Sequence, residues 1–220
     1  MRYMVCFLSG YLVGSFNPSY ILARLHGFDI RTRGSHNAGA SNALLLFGKA
    51  RGFLCAFFDI FKAYLCGFLV QKIFAEDSLA FAVTASACIL GHVFPFYMQF
   101  RGGKGLACLA GVILAFDLRV FGIMLACEIV IALATKYICF VPMSAAAAFP
   151  FVYGFATGES VGIVLLLTVA AVVLWRHSEN IRRIRGGQEM RLSYLWNKEA
   201  ELSRMRENYP EDEWDYPEME

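Results

Sequence analysis

Long apolar segments separated by short polar connections limit this chain to few folds. A helix needs roughly 20 apolar residues to cross a bilayer, and in lipid only helices and closed barrels satisfy their backbone polar groups. Charged residues make up 17% of the sequence, below the quarter or so that is usual in soluble domains. We predict an all-α, polytopic membrane helical bundle with about seven transmembrane helices, or about five if the short fourth and fifth segments do not cross. The apolar segments lie at residues 3–25, 52–75, 79–97, 105–116, 120–134, 138–156 and 160–175.

The distribution of lysine and arginine predicts how the bundle is oriented. Most of the 20 basic residues fall in residues 24–51, 98–104, 135–137 and 176–206, whereas the intervening connections carry mainly carboxylates. Cytoplasmic loops of membrane proteins carry the excess of basic residues. The basic loops are therefore predicted to face the cytoplasm, with the N-terminus outside the cell and the C-terminus inside.

The pattern also predicts one membrane domain over residues 1–190 and a charged cytoplasmic tail over residues 191–220. Residues 207–220 hold carboxylates but no lysine or arginine, which predicts a disordered acidic end. The 7 cysteines lie in or beside apolar segments and form no C-x-x-C pair. We interpret them as reduced packing residues and predict no metal site.

The first of three polar loops on the basic side covers residues 31–42. Small residues alternate there with hydroxyl and amide side chains, among them Ser35, Asn37 and Asn42. Such a loop turns sharply and aims several hydrogen-bond donors at one point, as sites for anionic oxygens do. The alternative is a connector in which Ser41 or Asn42 caps the next helix.

The second loop, residues 91–105, runs from His92 to glycines that precede an apolar helix. Gly102 and Gly103 adjoin Lys104, and free amides beside an ammonium at a helix N-terminus are typical of phosphate sites. The spacing is not that of a Walker A loop. The alternatives are a basic turn that reaches lipid head groups and, for the histidine, a helix-end side chain with its hydrogen bonds satisfied.

The third loop, residues 176–189, directly follows the last apolar segment. His177 and Asn180 share one helix face, several arginines surround them, and Glu189 follows. Alone, this stretch fits a juxtamembrane segment that holds anionic lipid. Because all three loops are predicted on the same membrane face, binding of a phosphate compound is the interpretation that unites them.

In these three loops the chain resembles the bacterial acyl-phosphate:glycerol-3-phosphate acyltransferases, the PlsY family. The family motifs read Gly-Ser-x-Asn-x-Gly-Ala-Thr-Asn, then Gly-His-x-x-Pro with Phe-Lys-Gly-Gly-Lys-Gly, then His-x-x-Asn-Ile with Gly-x-Glu. The order, spacing and sidedness agree over roughly residues 10–190, and the second motif is the most specific match.

The resemblance implies transfer of an acyl group from acyl phosphate to the 1-hydroxyl of glycerol 3-phosphate, giving lysophosphatidic acid and phosphate for phospholipid biosynthesis. It implies a multi-pass protein of the bacterial cell membrane with its active face in the cytoplasm. Its partners are the two substrates and membrane lipids, with no nucleic acid, cofactor, CoA, carrier protein or metal.

The resemblance also assigns site residues. The departing phosphate is expected to help as base, so Ser35 positions a substrate and is not a nucleophile. The residues that match catalytic positions are Ser35, His177 and Asn180. Those that match substrate-binding positions are Asn37, Asn42, His92, Gly102, Gly103, Lys104 and Glu189.

The chain departs from the family pattern at several positions. The family usually has glycine at His36, arginine at Leu45, and serine at Cys139 and Pro142. Loss of the arginine removes a phosphate contact, which nearby basic residues are candidates to replace, namely Arg33, Lys49 and Arg51.

Two alternatives stay open at this point. One is a divergent paralogue that binds lipid phosphate without turnover; a transporter would predict an internal repeat, and the sequence has none. The other is an intramembrane hydrolase built from Ser35 with His92 or His177, although the chain has no Gly-x-Ser-x-Gly elbow.

Overall fold

The computed structural model describes residues 1–75 and 77–209, and within these residues every regular element is helical, with no strand. The all-α class is therefore confirmed. Short 3₁₀ turns cover Ile30–Thr32, Phe96–Met98 and Leu192–Leu195. The helices are α1 Arg2–Ser15, α2 Pro18–Leu25, α3 Ala40–Phe47, α4 Lys49–Ile73, α5 Ser78–Val93, α6 Leu106–Phe116, α7 Leu118–Thr135, α8 Phe140–Thr157, α9 Ser160–Arg176, α10 Ser178–Arg185 and α11 Lys198–Arg206.

Five helical segments of the described chain are long and apolar enough to cross a membrane, by length and composition alone. They are Lys49–Ile73, Ser78–Met98, Leu118–Thr135, Phe140–Thr157 and Ser160–Arg185. The count agrees with the lower of the two predicted numbers. Of the two segments expected to be short, the fourth is short, as Leu106–Phe116, but the fifth is a full 18 residues. The first segment, expected to cross, is divided into two helices that are each too short.

The predicted first span, residues 3–25, is divided into α1 and α2. The side chain of Asn17 accepts a hydrogen bond from the Tyr20 amide and so caps α2, and Pro18 follows in the first turn. A capping side chain and a proline at the first helical position both favour a new helix start. The break places Asn17, which is fully buried, beneath the first polar loop, where its Nδ2 donates to the Ala38 carbonyl at 2.8 Å.

Glycines bring the helices of the bundle into close contact. A Cβ at Gly10 or Gly14 of α1 would overlap the backbone of α5, and one at Gly91 of α5 would overlap α1. Likewise, a Cβ at Gly111 of α6 would overlap the backbone of α4. In lipid, apolar side chains gain little by leaving the solvent, so helices associate largely through close packing. Small residues at the contacts allow that close approach.

Three charged side chains, Asp59, Lys62 and Glu128, are buried inside the bundle. Lys62 and Asp59 pair on one face of α4, with Nζ and Oδ1 2.6 Å apart. Glu128 of α7 accepts a hydrogen bond from Ser144 of α8 at 2.6 Å. Each charge therefore meets a partner, as polar groups in a membrane interior require.

The chain after the last span folds back onto the bundle. Residues 190–209, here named the C-terminal cap, contain the Leu192–Leu195 turn and α11. Tyr194, Leu202 and Met205 of the cap are buried in one apolar cluster with Leu44 and Leu45 of α3. This part of the predicted charged tail thus packs against the bundle. Of the acidic end predicted over residues 207–220, residues 210–220 lie outside the described residues.

Candidate active site

One cavity of about 310 Å³ collects side chains from all three polar loops. Asp59 of α4, Leu45 of α3, and Met190 and Leu195 of the cap complete part of its wall. Of the predicted site residues, the structure brings seven to this cavity and places three, Asn42, Gly102 and Gly103, just behind it. The seven are Ser35, Asn37, His92, Lys104, His177, Asn180 and Glu189.

Asn42 holds the first loop together from below. Its Oδ1 accepts a hydrogen bond from the Ser35 amide at 2.9 Å, and its Nδ2 donates to the carbonyls of Ile30 and Arg33 at 2.9 Å each. The side chain is fully buried, so its amide is occupied within the protein. The alternative in which Ser41 or Asn42 caps α3 is wrong, because Gly39 is the N-cap and no side chain caps that helix.

The loop above Asn42 contains two residues in the left-handed backbone region, and its Ser35 and Asn37 line the cavity. Gly34 has φ +60° and His36 has φ +54°, a region that side chains other than glycine's disfavour. This explains why the resembled family has glycine at His36. Asn37 lines the cavity, and its Oδ1 is buried without a hydrogen-bond partner among the described residues.

The glycines of the second loop serve close approach. The amides of Gly102 and Gly103 donate to the carbonyls of Val93 and His92 at 2.9 and 3.1 Å. A Cβ at Gly102 would overlap the His92 carbonyl, and one at Gly103 would overlap the His92 ring. The two glycines therefore pin the loop against the end of α5 and leave Lys104 at the cavity wall.

His92 reaches the cavity from a buried ionic cluster, here named the closed network. Its Nδ1 lies 3.2 Å from Nζ of Lys62 and 3.3 Å from Oδ1 of Asp59. The Lys62 ammonium also donates to the Phe16 carbonyl. Ligand-type atoms of Asp59, His92 and Cys108 lie within 4.8 Å of one another, but Lys62 already supplies the positive charge there.

A second network, here named the open network, forms another part of the cavity wall. Lys104 Nζ donates to Oδ1 of Asn180, and Asn180 Nδ2 donates to Oε1 of Glu189 at 2.7 Å. Oε2 of Glu189 accepts from Nε of Arg183 at 2.7 Å. Burial, together with the positive charge of Arg183, lowers the pKa of Lys104 to about 8.

His177 adds a ring nitrogen to the same wall. Its Nδ1 lies 2.8 Å from the Val173 carbonyl oxygen, one turn earlier on α9. A carbonyl only accepts, so Nδ1 carries the proton and Nε2 of the neutral ring is an acceptor. The ring is buried and lines the cavity, where an acceptor suits a substrate hydroxyl.

The arginine found in the cavity wall is not one of the three basic residues expected to replace the missing family arginine. Arg33 stacks over the Phe28 ring at 4.4 Å, Lys49 donates to the Leu195 carbonyl at 2.5 Å and Arg51 is exposed. None of the three lines the cavity. Arg183 does line it. Arg183 lies three residues after Asn180 on one helix, and this spacing is the sequence signal that places both side chains on the same face.

The chain was compared with known proteins. Residues 4–187 match the family model described as glycerol-3-phosphate acyltransferase. The glycerol-3-phosphate acyltransferase 1 of Oceanobacillus iheyensis is 33% identical over 211 residues, covering 91% of this chain and 100% of the relative. The glycerol-3-phosphate acyltransferase of Aquifex aeolicus is 32% identical over 192 residues, covering 87% and 100%. Among solved structures, the glycerol 3-phosphate form of PlsY, an integral membrane glycerol 3-phosphate acyltransferase, matches with a TM-score of 0.79 and 31% identity, covering 89% of this chain and 98% of PlsY.

Proposed function

This chain belongs to the glycerol-3-phosphate acyltransferase family, and on that premise we propose that it transfers a fatty acyl group from acyl phosphate to the 1-hydroxyl of glycerol 3-phosphate. It is a multi-pass membrane acyltransferase. The single observation that carries the donor and acceptor assignment is the cavity of about 310 Å³ with Lys104 and Arg183 in its wall. Both proposed substrates carry phosphate, and a cavity with cationic and amide side chains suits them.

Lys104 is the proposed contact for the acceptor phosphate. Its ammonium meets a neutral amide oxygen at Asn180, and the nearest carboxylate oxygen paired with it, on Glu179, is 3.9 Å away. A phosphate that enters the cavity therefore brings a negative charge closer than that of Glu179, whose side chain is 62% exposed. Asn180 and Glu189 hold the ammonium in position, and Arg183 adds a second positive charge.

The transfer proceeds in one displacement. The acceptor hydroxyl oxygen bonds to the acyl carbonyl carbon, the bond between that carbon and the phosphate oxygen breaks, and the hydroxyl proton passes to the departing phosphate. His177 Nε2 accepts from the hydroxyl and orients it, which favours the reaction by proximity. Ser35 and Asn37 donate toward the carbonyl oxygen as negative charge develops on it.

The donor is already activated, because acyl phosphate is a mixed anhydride whose leaving group is phosphate. The proposed reaction thus requires neither CoA nor a carrier protein. We place the cavity on the cytoplasmic side of the bacterial cell membrane, because the loops that form it hold the chain's excess of lysine and arginine. The C-terminus, which follows the third loop, then lies inside, and an N-terminus outside further requires that the 14-residue α1 crosses the membrane.

The test is phosphate release from palmitoyl phosphate by the purified protein in detergent, with and without glycerol 3-phosphate, alongside mass spectrometry for lysophosphatidic acid. Palmitoyl-CoA as sole donor is the matched control. We expect product only when acyl phosphate and acceptor are both present. Product from palmitoyl-CoA alone would contradict the donor, equal phosphate release without acceptor would indicate a hydrolase, and no turnover would indicate a lipid-phosphate binder.

A further inference from the structure

The C-terminal cap begins where the family match ends. The family model covers residues 4–187, and the cap, residues 190–209, follows the third motif in the sequence. The cap nevertheless contributes Met190 and Leu195 to the cavity lining. It also makes hydrogen bonds to the backbone of the third loop.

One cap residue, Arg204 of α11, makes the contacts that join α11 to that loop. Its Nη1 donates to the Gly187 carbonyl at 2.6 Å, and its Nη2 donates to the Glu189 carbonyl at 2.7 Å. Nη2 and Nε also donate to Oε1 of Glu201, at 2.5 and 3.1 Å. A planar guanidinium suits such a set, because its donors have a fixed geometry.

Glu201 in turn fixes the guanidinium. Its side chain is 5% exposed, and it accepts hydrogen bonds from the Arg191 amide at 2.9 Å and from Ser193 Oγ at 2.8 Å. Both carboxylate oxygens are therefore held by the Leu192–Leu195 turn and the residue before it. Glu201 thus holds the guanidinium where it donates to the carbonyls of Gly187 and Glu189, on either side of Gln188.

We propose that Arg204 is a positioning residue for acyl transfer, acting through the backbone of residues 187–189. By holding the Glu189 carbonyl, it directs the Glu189 carboxylate toward Asn180 Nδ2 and Arg183 Nε, and Asn180 then holds Lys104. The inference rests on the proposed function only for the identity of the substrate. The way in which Arg204 holds the open network in place does not depend on the identity of the substrate.

The test compares R204A with R206A, which removes the same charge from an exposed position on the same helix. In R204A, kcat/KM for glycerol 3-phosphate is expected to fall about tenfold to a hundredfold, chiefly through a higher KM, because small displacements of positioning groups have effects of this size. R206A is expected to stay within about twofold of the unaltered protein. R204K is expected to recover part of the loss, since one ammonium replaces some of the bonds.

A double-mutant cycle with E189Q separates positioning from a purely structural role. If Arg204 acts through Glu189, R204A has little further effect on kcat/KM in the E189Q background. Equal losses in both backgrounds, or R204A kinetics like those of the unaltered protein, would overturn the proposal.

Amide hydrogen exchange provides a readout that needs no turnover. Exchange at residues 186–190 is expected to rise in R204A and not in R206A, and unchanged exchange would overturn the proposal even if no acyl donor is accepted. The kinetic cycle uses whichever donor the unaltered protein accepts. A failed assignment of acyl phosphate would therefore appear in the unaltered protein, separately from any failure of the Arg204 role.

Discussion

Two largely buried lysines near the cavity, Lys104 in its lining and Lys62 beside Asp59 and His92, are in opposite electrostatic situations. In the closed network, Lys62 Nζ lies 2.6 Å from a carboxylate oxygen of Asp59, and His92 and a backbone carbonyl complete its surroundings. In the open network, Lys104 meets the neutral oxygen of Asn180, and its carboxylate neighbour is 3.9 Å away. Both side chains are at most 10% exposed.

The difference shows how a protein separates a structural lysine from a binding one. A buried cation with a full counter-charge is satisfied and has nothing left to offer a ligand. For a buried cation beside neutral partners, the cost of desolvation is only partly offset, and an incoming phosphate supplies the missing counter-charge. In this chain the Glu189 carboxylate accepts hydrogen bonds from Asn180 and Arg183. The Lys104 ammonium therefore stays available to bind a substrate phosphate.

The largest expected effect is the loss of Lys62. In K62M the Asp59 carboxylate stays buried without its cation, and we expect the free energy of unfolding to fall by about 3–5 kcal/mol. Thermal unfolding in detergent measures this. The double variant with D59N is expected to recover much of the loss because it removes the unpaired charge. A K62M protein as stable as the unaltered one would show that the closed network is not a structural pair.

The next effect concerns Lys104. K104M removes a charged hydrogen-bond donor from the proposed phosphate site, so we expect kcat/KM for glycerol 3-phosphate to fall by about 1.5–3 kcal/mol equivalent, mainly through KM. Stability should hold or rise slightly, in contrast to K62M. Steady-state kinetics and thermal unfolding of the two variants side by side test the comparison. Equal destabilisation by both would remove the distinction between the networks.

Leu45 tests whether the open wall accepts a third cation. Leu45 is 4% exposed, in the apolar cluster with Tyr194, Leu202 and Met205. We expect L45R to lose about 1.5–3 kcal/mol of stability, the value of burying a leucine side chain, without a gain in acyl transfer. L45M, which keeps the volume, is the control. Higher activity at unchanged stability would show that the cap yields to an arginine at this position.

The pH dependence of acceptor use is expected to be smaller and to follow Lys104. Since its pKa is lowered to about 8 and the charged form binds phosphate, kcat/KM should be level below that pH and fall about tenfold per unit above it. K104R should move this decline to higher pH. Stability responds in the opposite sense, because the unfolded chain keeps the lysine proton up to about pH 10.4, so this group favours folding more as pH rises from 8.

Much of the architecture could be predicted from the sequence because it depends on local pattern. The apolar segments gave the helices, and even the break in the first one has a local signal, the capping side chain of Asn17 followed by Pro18. The three loops converge on one cavity, as their shared excess of basic residues predicts. Residue type and spacing indicated a phosphate site at Lys104, and the resemblance to the family motifs assigned His177 and Asn180 to the site; all three line the cavity.

The remainder depends on contacts between distant parts of the chain. Asn42 shares the polar character of Asn37, and only the tertiary structure shows that one holds the loop while the other faces the cavity. Leu45 reads as a missing phosphate contact until Leu202 and Met205, more than 150 residues later, are seen to cover it. No local pattern reports such packing, because the apolar cluster exists only once the chain has folded back.

The smallest expected effect is at Cys139, in the wall near the open network. Burial, reinforced by the charge of Glu189, raises the pKa of this thiol to about 12, so it stays protonated at neutral pH and adds no charge beside Lys104. We expect C139S, which restores the hydroxyl of the resembled family, to keep kcat/KM within about twofold. Iodoacetamide should modify the thiol only slowly at pH 8, since the thiolate is the nucleophile; C127S is the background, because Cys127 is exposed. Fast alkylation with parallel loss of acyl transfer would mean that the Cys139 thiol is ionised. Its thiolate would then be a counter-charge beside Lys104, and the open network would no longer differ from the closed one.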